Sequence, residues 1–266
     1  MTRQQLVHHI REKESFLCVG LDPDPARIPA SYGGDLLRFN QDIIDATRDS
    51  CVAYKPNTAF YEALGLEGIN LLRDTIAYIG DQHLVIADAK RGDIGNTSRY
   101  YARFAFETLG ADAITVAPYM GADSVQPFLE YTGKWTILLA LTSNPGSHDF
   151  QHTPQEDGPP LFAKVMRRAA EWGTPDQLMF VCGATQAERF TELRRHAPQH
   201  FFLVPGIGAQ GGDLEGVCRH GMTDEAGLLV NSSRGIIYAD DPGSAARELQ
   251  EEMGRLLNKY APGLFQ

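Results

Sequence analysis

Eight short apolar runs recur along the chain, each followed by a polar or helically spaced stretch, and this alternation constrains the fold more than any other feature. The runs are Phe16–Leu21, Val52–Lys55, Leu84–Asp88, Ala113–Ala117, Thr136–Leu141, Leu178–Cys182, Phe201–Val204 and Gly227–Asn231. Each is near-continuously apolar, as parallel strands covered on both faces require. Between them lie amphipathic stretches such as DLLRFNQDIIDATRD, GINLLRDTIAYIG, RYYARFAFETLG, PLFAKVMRRAAEWG and AERFTELRRHA, while SAARELQEEMGRLLNKYA follows the eighth run. Eight βα repeats predict an α/β fold closed as a (β/α)8 TIM barrel, with an open doubly wound sheet as the alternative. No repeat, low-complexity tract or linker divides the 266 residues. The expectation is therefore a single domain over 1–266, with a helix before the first strand and another after the eighth.

Composition narrows the class of partner. A hydrophobic content of 43% and a charged content of 22% describe an ordinary soluble globular protein. The net charge of −10, with no basic stripe, argues against nucleic acid as a partner. Cys18, Cys51, Cys182 and Cys218 form no CxxC pair, so free thiols in a reducing compartment are expected and a zinc site is not. The opening MTRQQLVHHIREKES has helical spacing and charges throughout, unlike the apolar core of a signal peptide. No apolar run approaches a membrane span, so the sequence points to the cytoplasm and to no membrane partner.

A TIM barrel carries its functional residues at the C-terminal ends of its strands. Those ends read GLDPD, YKPN, DAKRGD, APYMG, LTSNPG, CGAT, PGIGAQGGD and NSSRG. Asp88 and Lys90 are two residues apart, which on a regular strand puts them on one face about 6.5–7 Å apart. Lys55 ends the neighbouring strand, and Asp93 follows the Arg91-Gly92 turn. Together Lys55, Asp88, Lys90 and Asp93 form a candidate alternating array of two cations and two anions. A lysine held between carboxylates stays protonated and oriented toward a developing carbanion. A structural ion-pair cluster capping the barrel is the other reading of the same spacing.

Two glycine-rich ends accompany the array: Pro205 to Asp213 after the seventh strand, and Ser232-Ser233-Arg234-Gly235 after the eighth. Barrels often hold phosphate in these two positions, through backbone N–H groups and an arginine fork. Either loop alone marks no more than a turn. The stretch from Thr142 to Pro160, with Asn144-Pro145-Gly146 and His148 and His152, is long enough to cover a site or to be a disordered excursion.

Lys55 followed by DAKRGDIGNTS, with VGLDPDP early and LTSNPGSHDFQ in the middle, resembles the type 2 bacterial subfamily of orotidine 5′-phosphate decarboxylase. The likeness extends from Gly20 to Tyr238. It implies cofactor-free loss of CO2 from orotidine 5′-monophosphate to give UMP, the last step of de novo pyrimidine synthesis. By that resemblance Lys90 protonates C6 of the pyrimidine as CO2 leaves, and Asp88 sits beside the departing carboxylate. Lys55 holds the array and a ribose hydroxyl, and Asp22 binds the ribose. Asp93 and Thr97 reach the ribose of the neighbouring subunit's substrate, which makes the active unit a homodimer. Ser143 reads the pyrimidine amide edge, while Gln210 and Arg234 hold the phosphate, with Asn231 or Gly235 as sharers of Arg234's work.

Three rivals share parts of this pattern. A related barrel group with D-x-K-x-x-D uses Mg²⁺ and ends its second strand in a glutamate; Lys55 stands there instead, a cation in place of a metal ligand. A Schiff-base aldolase needs a neutral lysine, which flanking aspartates oppose. A nucleotide-binding barrel without chemistry has no reason to retain all four charges.

Overall fold

The computed structural model describes residues 1–156, 158–184, 187–206 and 213–266. Its strands are β1 (Leu17–Leu21), β2 (Ala53–Pro56), β3 (Leu84–Arg91), β4 (Ala113–Val116), β5 (Trp135–Leu141), β6 (Leu178–Cys182), β7 (Phe202–Pro205) and β8 (Leu228–Ser232). They are hydrogen-bonded in sequence order and β8 pairs β1, so the sheet closes into an all-parallel barrel. Closure settles the choice against an open sheet. The strands observed are the eight the apolar runs predict, with ends shifted by a residue or so except at β3, which runs three residues further, to Arg91.

Helices fill the connections: α1 (Arg3–Lys13), α2 (Leu36–Thr47), α3 (Thr58–Glu62), α4 (Gly65–Ile79), α5 (Gly95–Arg103), α6 (Ala122–Leu129), α7 (Leu161–Ala170), α8 (Arg189–His196), α9 (Leu214–Gly221), α10 (Arg234–Ile237) and α11 (Pro242–Tyr260). Among the described residues, five of their starts carry a side-chain cap. Thr2 accepts from the Gln5 N–H in a capping box, and Asp35, Asn57, Asp213 and Asp241 each accept a first-turn N–H. Each such cap contributes about 1 kcal/mol and sets where the chain leaves its loop.

Strands β1, β2, β4, β6 and β8 are buried along their whole length, because side chains of one face fill the barrel and those of the other meet helices. The largest fully buried side chains include Trp135, Tyr54, Tyr61, Phe180 and Phe202. Each apolar side chain buried this completely contributes about 1.5–3 kcal/mol by leaving water. All four cysteines are buried and unpaired. Burial pushes the Cys51 thiol up to about 11 and the Cys218 thiol up to about 12, so neither is a thiolate at neutral pH. Among the described residues no helix is long and apolar enough to cross a membrane.

Candidate active site

Lys55 enters the site from the end of β2 and Asp88 from β3, and the two side chains meet across the barrel mouth. The Lys55 ammonium donates to Asp88 Oδ2 at 2.9 Å, and the Lys90 ammonium donates to Asp88 Oδ1 at 2.6 Å. Lys55 is 6% and Asp88 7% exposed, whereas the Lys90 side chain is 49% exposed. One carboxylate thus joins a buried cation to a cation facing solvent.

Burial pushes the Asp88 carboxyl up, but Lys55 and Lys90 outweigh it and hold the group well below the usual carboxylate range. Burial likewise works against the Lys55 charge. The Asp88 carboxylate, with Asp22 second, overrides that and keeps Lys55 above the ordinary lysine value. A lysine so strongly charged is a poor Schiff-base nucleophile, which disfavours the aldolase reading for Lys55.

The strand does not keep its regular pleat here. Between the pairs Ala87↔Ile114 and Arg91↔Val116, β3 spends Asp88, Ala89 and Lys90 where β4 spends Thr115 alone. Lys90 adopts φ 48°, a left-handed conformation that costs an L-residue about 1–2 kcal/mol. Sequence spacing anticipates that Asp88 and Lys90 share one side, but the reason differs: a bulge, not strand alternation, turns Lys90 toward Asp88. Thr115 fills the gap. It is fully buried, its Oγ1 accepts from the Lys90 N–H at 2.9 Å, and it donates to Asp88 Oδ1 at 2.9 Å. Sequence reasoning missed Thr115; a hydroxyl one residue before the end of β4 is the only trace it leaves.

Asp93 stands apart from this group. Its Oδ1 accepts from the Ile94 N–H at 2.7 Å, and among the described residues it forms no ion pair with Lys55 or Lys90. Within one chain the array is therefore two cations around one anion rather than four alternating charges. Gly92, just before it, lets the chain pass close to the end of β4, since a Cβ there would sit 3.1 Å from the Ala117 carbonyl oxygen. Thr97 lies exposed in the first turn of α5. Arg91 points elsewhere, pairing with Glu62 and lying over the Tyr101 ring.

Asp22 follows β1. Its Oδ2 accepts from the Ser233 hydroxyl at 2.6 Å and its Oδ1 from the Asn57 N–H at 3.3 Å, which links the ends of β1, β2 and β8. Asn57 also caps α3 through its side chain, so local turn-making accounts for it. Gly20 is tightly enclosed, since a Cβ would lie 2.7 Å from Ser233 Cβ and 3.3 Å from Asn231 Oδ1. Among the described residues that buried Asn231 oxygen has no hydrogen-bond partner. Arg234 and Gly235 open α10 and are exposed beside this group. Gln210 lies outside the described residues.

Ser143 follows β5 in a cleft of about 300 Å³ shared with Leu141, Thr142, Asn144, His148 and Gly183. Gly183 permits the approach, because a Cβ there would stand 2.8 Å from the Ser143 backbone nitrogen. The long stretch after β5 is folded on itself. Gln151 accepts from the Thr142 N–H and donates to its hydroxyl, each at 2.8 Å. His148 and His152 stack with centroids 4.3 Å apart, and burial lowers the pKa of His152. The part from Thr142 to His152 thus folds back beside the cleft, with His148 and His152 stacked on each other.

Comparison with known proteins places this arrangement. The model of the Orotidine 5'-phosphate decarboxylase / HUMPS family matches residues 15–249. An orotidine 5'-phosphate decarboxylase of Bacteroides fragilis is 54% identical, over 97% of this chain and 98% of its own. The enzyme of that name from Parabacteroides distasonis is also 54% identical, over 97% of each chain. Among solved structures, the OMP decarboxylase of Leishmania donovani superposes with a TM-score of 0.86 at 40% identity, covering 96% of this chain and 99% of its own.

Proposed function

The chain belongs to the orotidine 5'-phosphate decarboxylase / HUMPS family, and on that premise we propose how its residues divide the work. The reaction is the loss of CO2 from orotidine 5′-monophosphate to give UMP, in pyrimidine biosynthesis. The C6–carboxylate bond breaks, its electron pair stays at C6, and a proton must arrive there. Lys90 delivers that proton from its ammonium group. One observation carries this assignment: Lys90 is the solvent-facing member of a buried Lys55–Asp88–Lys90 chain, at 2.9 and 2.6 Å. Its exposure also lets it regain a proton from water after each turnover.

Asp88 holds Lys90 and stands beside the leaving carboxylate, while Lys55 keeps Asp88 ionised and reaches a ribose hydroxyl. Asp22 takes the ribose and Ser143 the pyrimidine amide edge. Gln210, Arg234 and Gly235 take the phosphate, which an exposed arginine at a helix start suits. The chemistry needs no cofactor, because the proton and the electron pair are both accounted for.

The active unit is a homodimer in which Asp93 and Thr97 serve the partner's site. Support comes from the surface around them: Ile94, Tyr100, Tyr119 and Met120 are 59, 56, 92 and 44% exposed, all in segments after β3 and β4. Large apolar side chains exposed near one another in the chain are the kind of surface a partner covers. The separation of Asp93 from the array of its own chain fits the same arrangement.

Purified protein in EDTA should consume orotidine 5′-monophosphate, seen as loss of the substrate's ultraviolet absorbance, and should sediment at twice the monomer mass. Absence of turnover would sink the lysine assignment; a monomer with full activity would sink the shared site.

A further inference from the structure

We propose that Thr115 is a positioning residue for the reaction, holding Lys90 and Asp88 in the geometry that proton delivery needs. The inference rests on Lys90 being the proton donor. Where β3 bulges, the backbone ladder to β4 is interrupted for three residues. A backbone N–H left unpaired there would be costly, and an unfastened bulge would let the lysine wander. The Thr115 hydroxyl supplies the missing partner, accepting from the Lys90 N–H at 2.9 Å.

A hydroxyl that accepts from one group has its own proton free for another. Thr115 spends it on Asp88 Oδ1, at 2.9 Å, the same oxygen that receives the Lys90 ammonium at 2.6 Å. One side chain therefore fixes both ends of the Asp88–Lys90 pair, the backbone of the lysine and the carboxylate that aims it. Lys55 fixes the other oxygen, Oδ2, at 2.9 Å. With both oxygens engaged, rotation of the carboxylate costs hydrogen bonds, and the lysine it holds has a preferred direction.

Three demands meet at this position. The side chain must be small, must accept and donate at once, and must stay put in a site with no exposure to water. β-Branching serves the last demand, since threonine has few χ1 choices on a strand. Valine matches its shape and lacks the hydroxyl; serine keeps the hydroxyl and lacks the methyl group.

The test compares Thr115→Val and Thr115→Ser in the full chain. For Thr115→Val, kcat should fall by at least tenfold while UMP affinity stays within about threefold of wild type. Thr115→Ser should recover kcat to within about fivefold of wild type. Amide hydrogen exchange should show lost protection at Lys90 in the valine variant, a readout independent of turnover. Should Thr115→Val fail to accumulate folded, Thr115→Ala is read in the same way. A kcat within twofold of wild type in the hydroxyl-free variant overturns the inference. So does an equal loss in the serine and valine variants, which would assign the position to packing. Wild type without turnover, or Lys90→Ala with full turnover, would instead overturn the assignment on which the inference rests.

Discussion

At the mouth of the barrel a buried carboxylate is shared by two lysines, whereas at its floor Arg194 and Lys13 are held by backbone carbonyls. Arg194 donates to the carbonyl oxygens of Gly221, Ala197, His200 and Gly227 at 2.6, 3.2, 2.5 and 2.7 Å, and lies over the Phe202 ring. Burial lowers its pKa, yet it remains charged at neutral pH. Lys13 donates to the carbonyls of Arg48 and Cys51 and contacts His83 Nε2 at 3.0 Å. Arg3 combines both kinds of partner, the carbonyls of Pro175 and Gln199 and the Glu225 carboxylate at 2.7 Å. These groups tie helix ends to the starts of β2, β3, β7 and β8.

The difference lies in what each cation can do. A cation surrounded by carbonyls is a clamp: its partners are main chain, and moving it loosens the fold. A cation paired to a carboxylate and half open to water can give up and regain a proton. Carbonyl-held charge at the floor fastens the fold; on the function proposed above, carboxylate-held charge at the mouth serves the chemistry.

Removing Lys90 should break this comparison most sharply. Lys90→Ala is expected to lower kcat by about 10³-fold or more, with UMP affinity little changed and the urea midpoint near that of wild type. A loss confined to KM would contradict the proton-donor role.

Arg194→Met should do the reverse. Four carbonyls lose their donor, so unfolding in urea should show a loss of roughly 2–4 kcal/mol. The kcat per folded molecule should stay within twofold. A large fall in kcat at unchanged stability would erase the distinction between floor and mouth.

Acid should separate the two ends more gently. Burial lowers the pKa of His83 and of His200 to about 4. An unfolded histidine titrates near 6.5, so between about 6.5 and 4 the unfolded chain binds protons that the native floor refuses. Stability contributed there is present above that window and is lost as pH falls through it. Asp88 titrates below the usual carboxylate range, so its contribution is present above about 3.9 and is lost only in stronger acid. The urea midpoint should therefore drop between pH 7 and pH 5 and drop less in His83→Gln. A midpoint insensitive to pH in that interval would show that the histidines do not titrate as their burial dictates.

Much of the architecture is legible in the chain because burial on both faces leaves a local mark, an unbroken apolar run, for every strand. The helices are less legible. Ala122–Leu129 carries Pro127 inside it, and Thr58–Glu62 and Arg234–Ile237 are one turn long, too short to display a period. Lys55, Asp88 and Lys90 stand out because charge at the end of an apolar run needs a reason. Asp93 carries the same mark, yet its carboxylate accepts from the Ile94 N–H instead of joining the other three, a direction that no spacing rule foresees.

The eight strands, the charges of Lys55, Asp88 and Lys90 at their ends and the family are written in local pattern or motif, so the chain alone suffices for them, whereas closure of the sheet into a barrel is seen only in the structure. The tertiary structure alone decided how the charges face one another. The register of β3 against β4, the left-handed turn at Lys90 and the hydroxyl of Thr115 that fastens it all depend on pairing between segments distant in the chain. Such pairing sets which oxygen meets which proton, and period-2 patterning is silent about it because a bulge is a departure from the period.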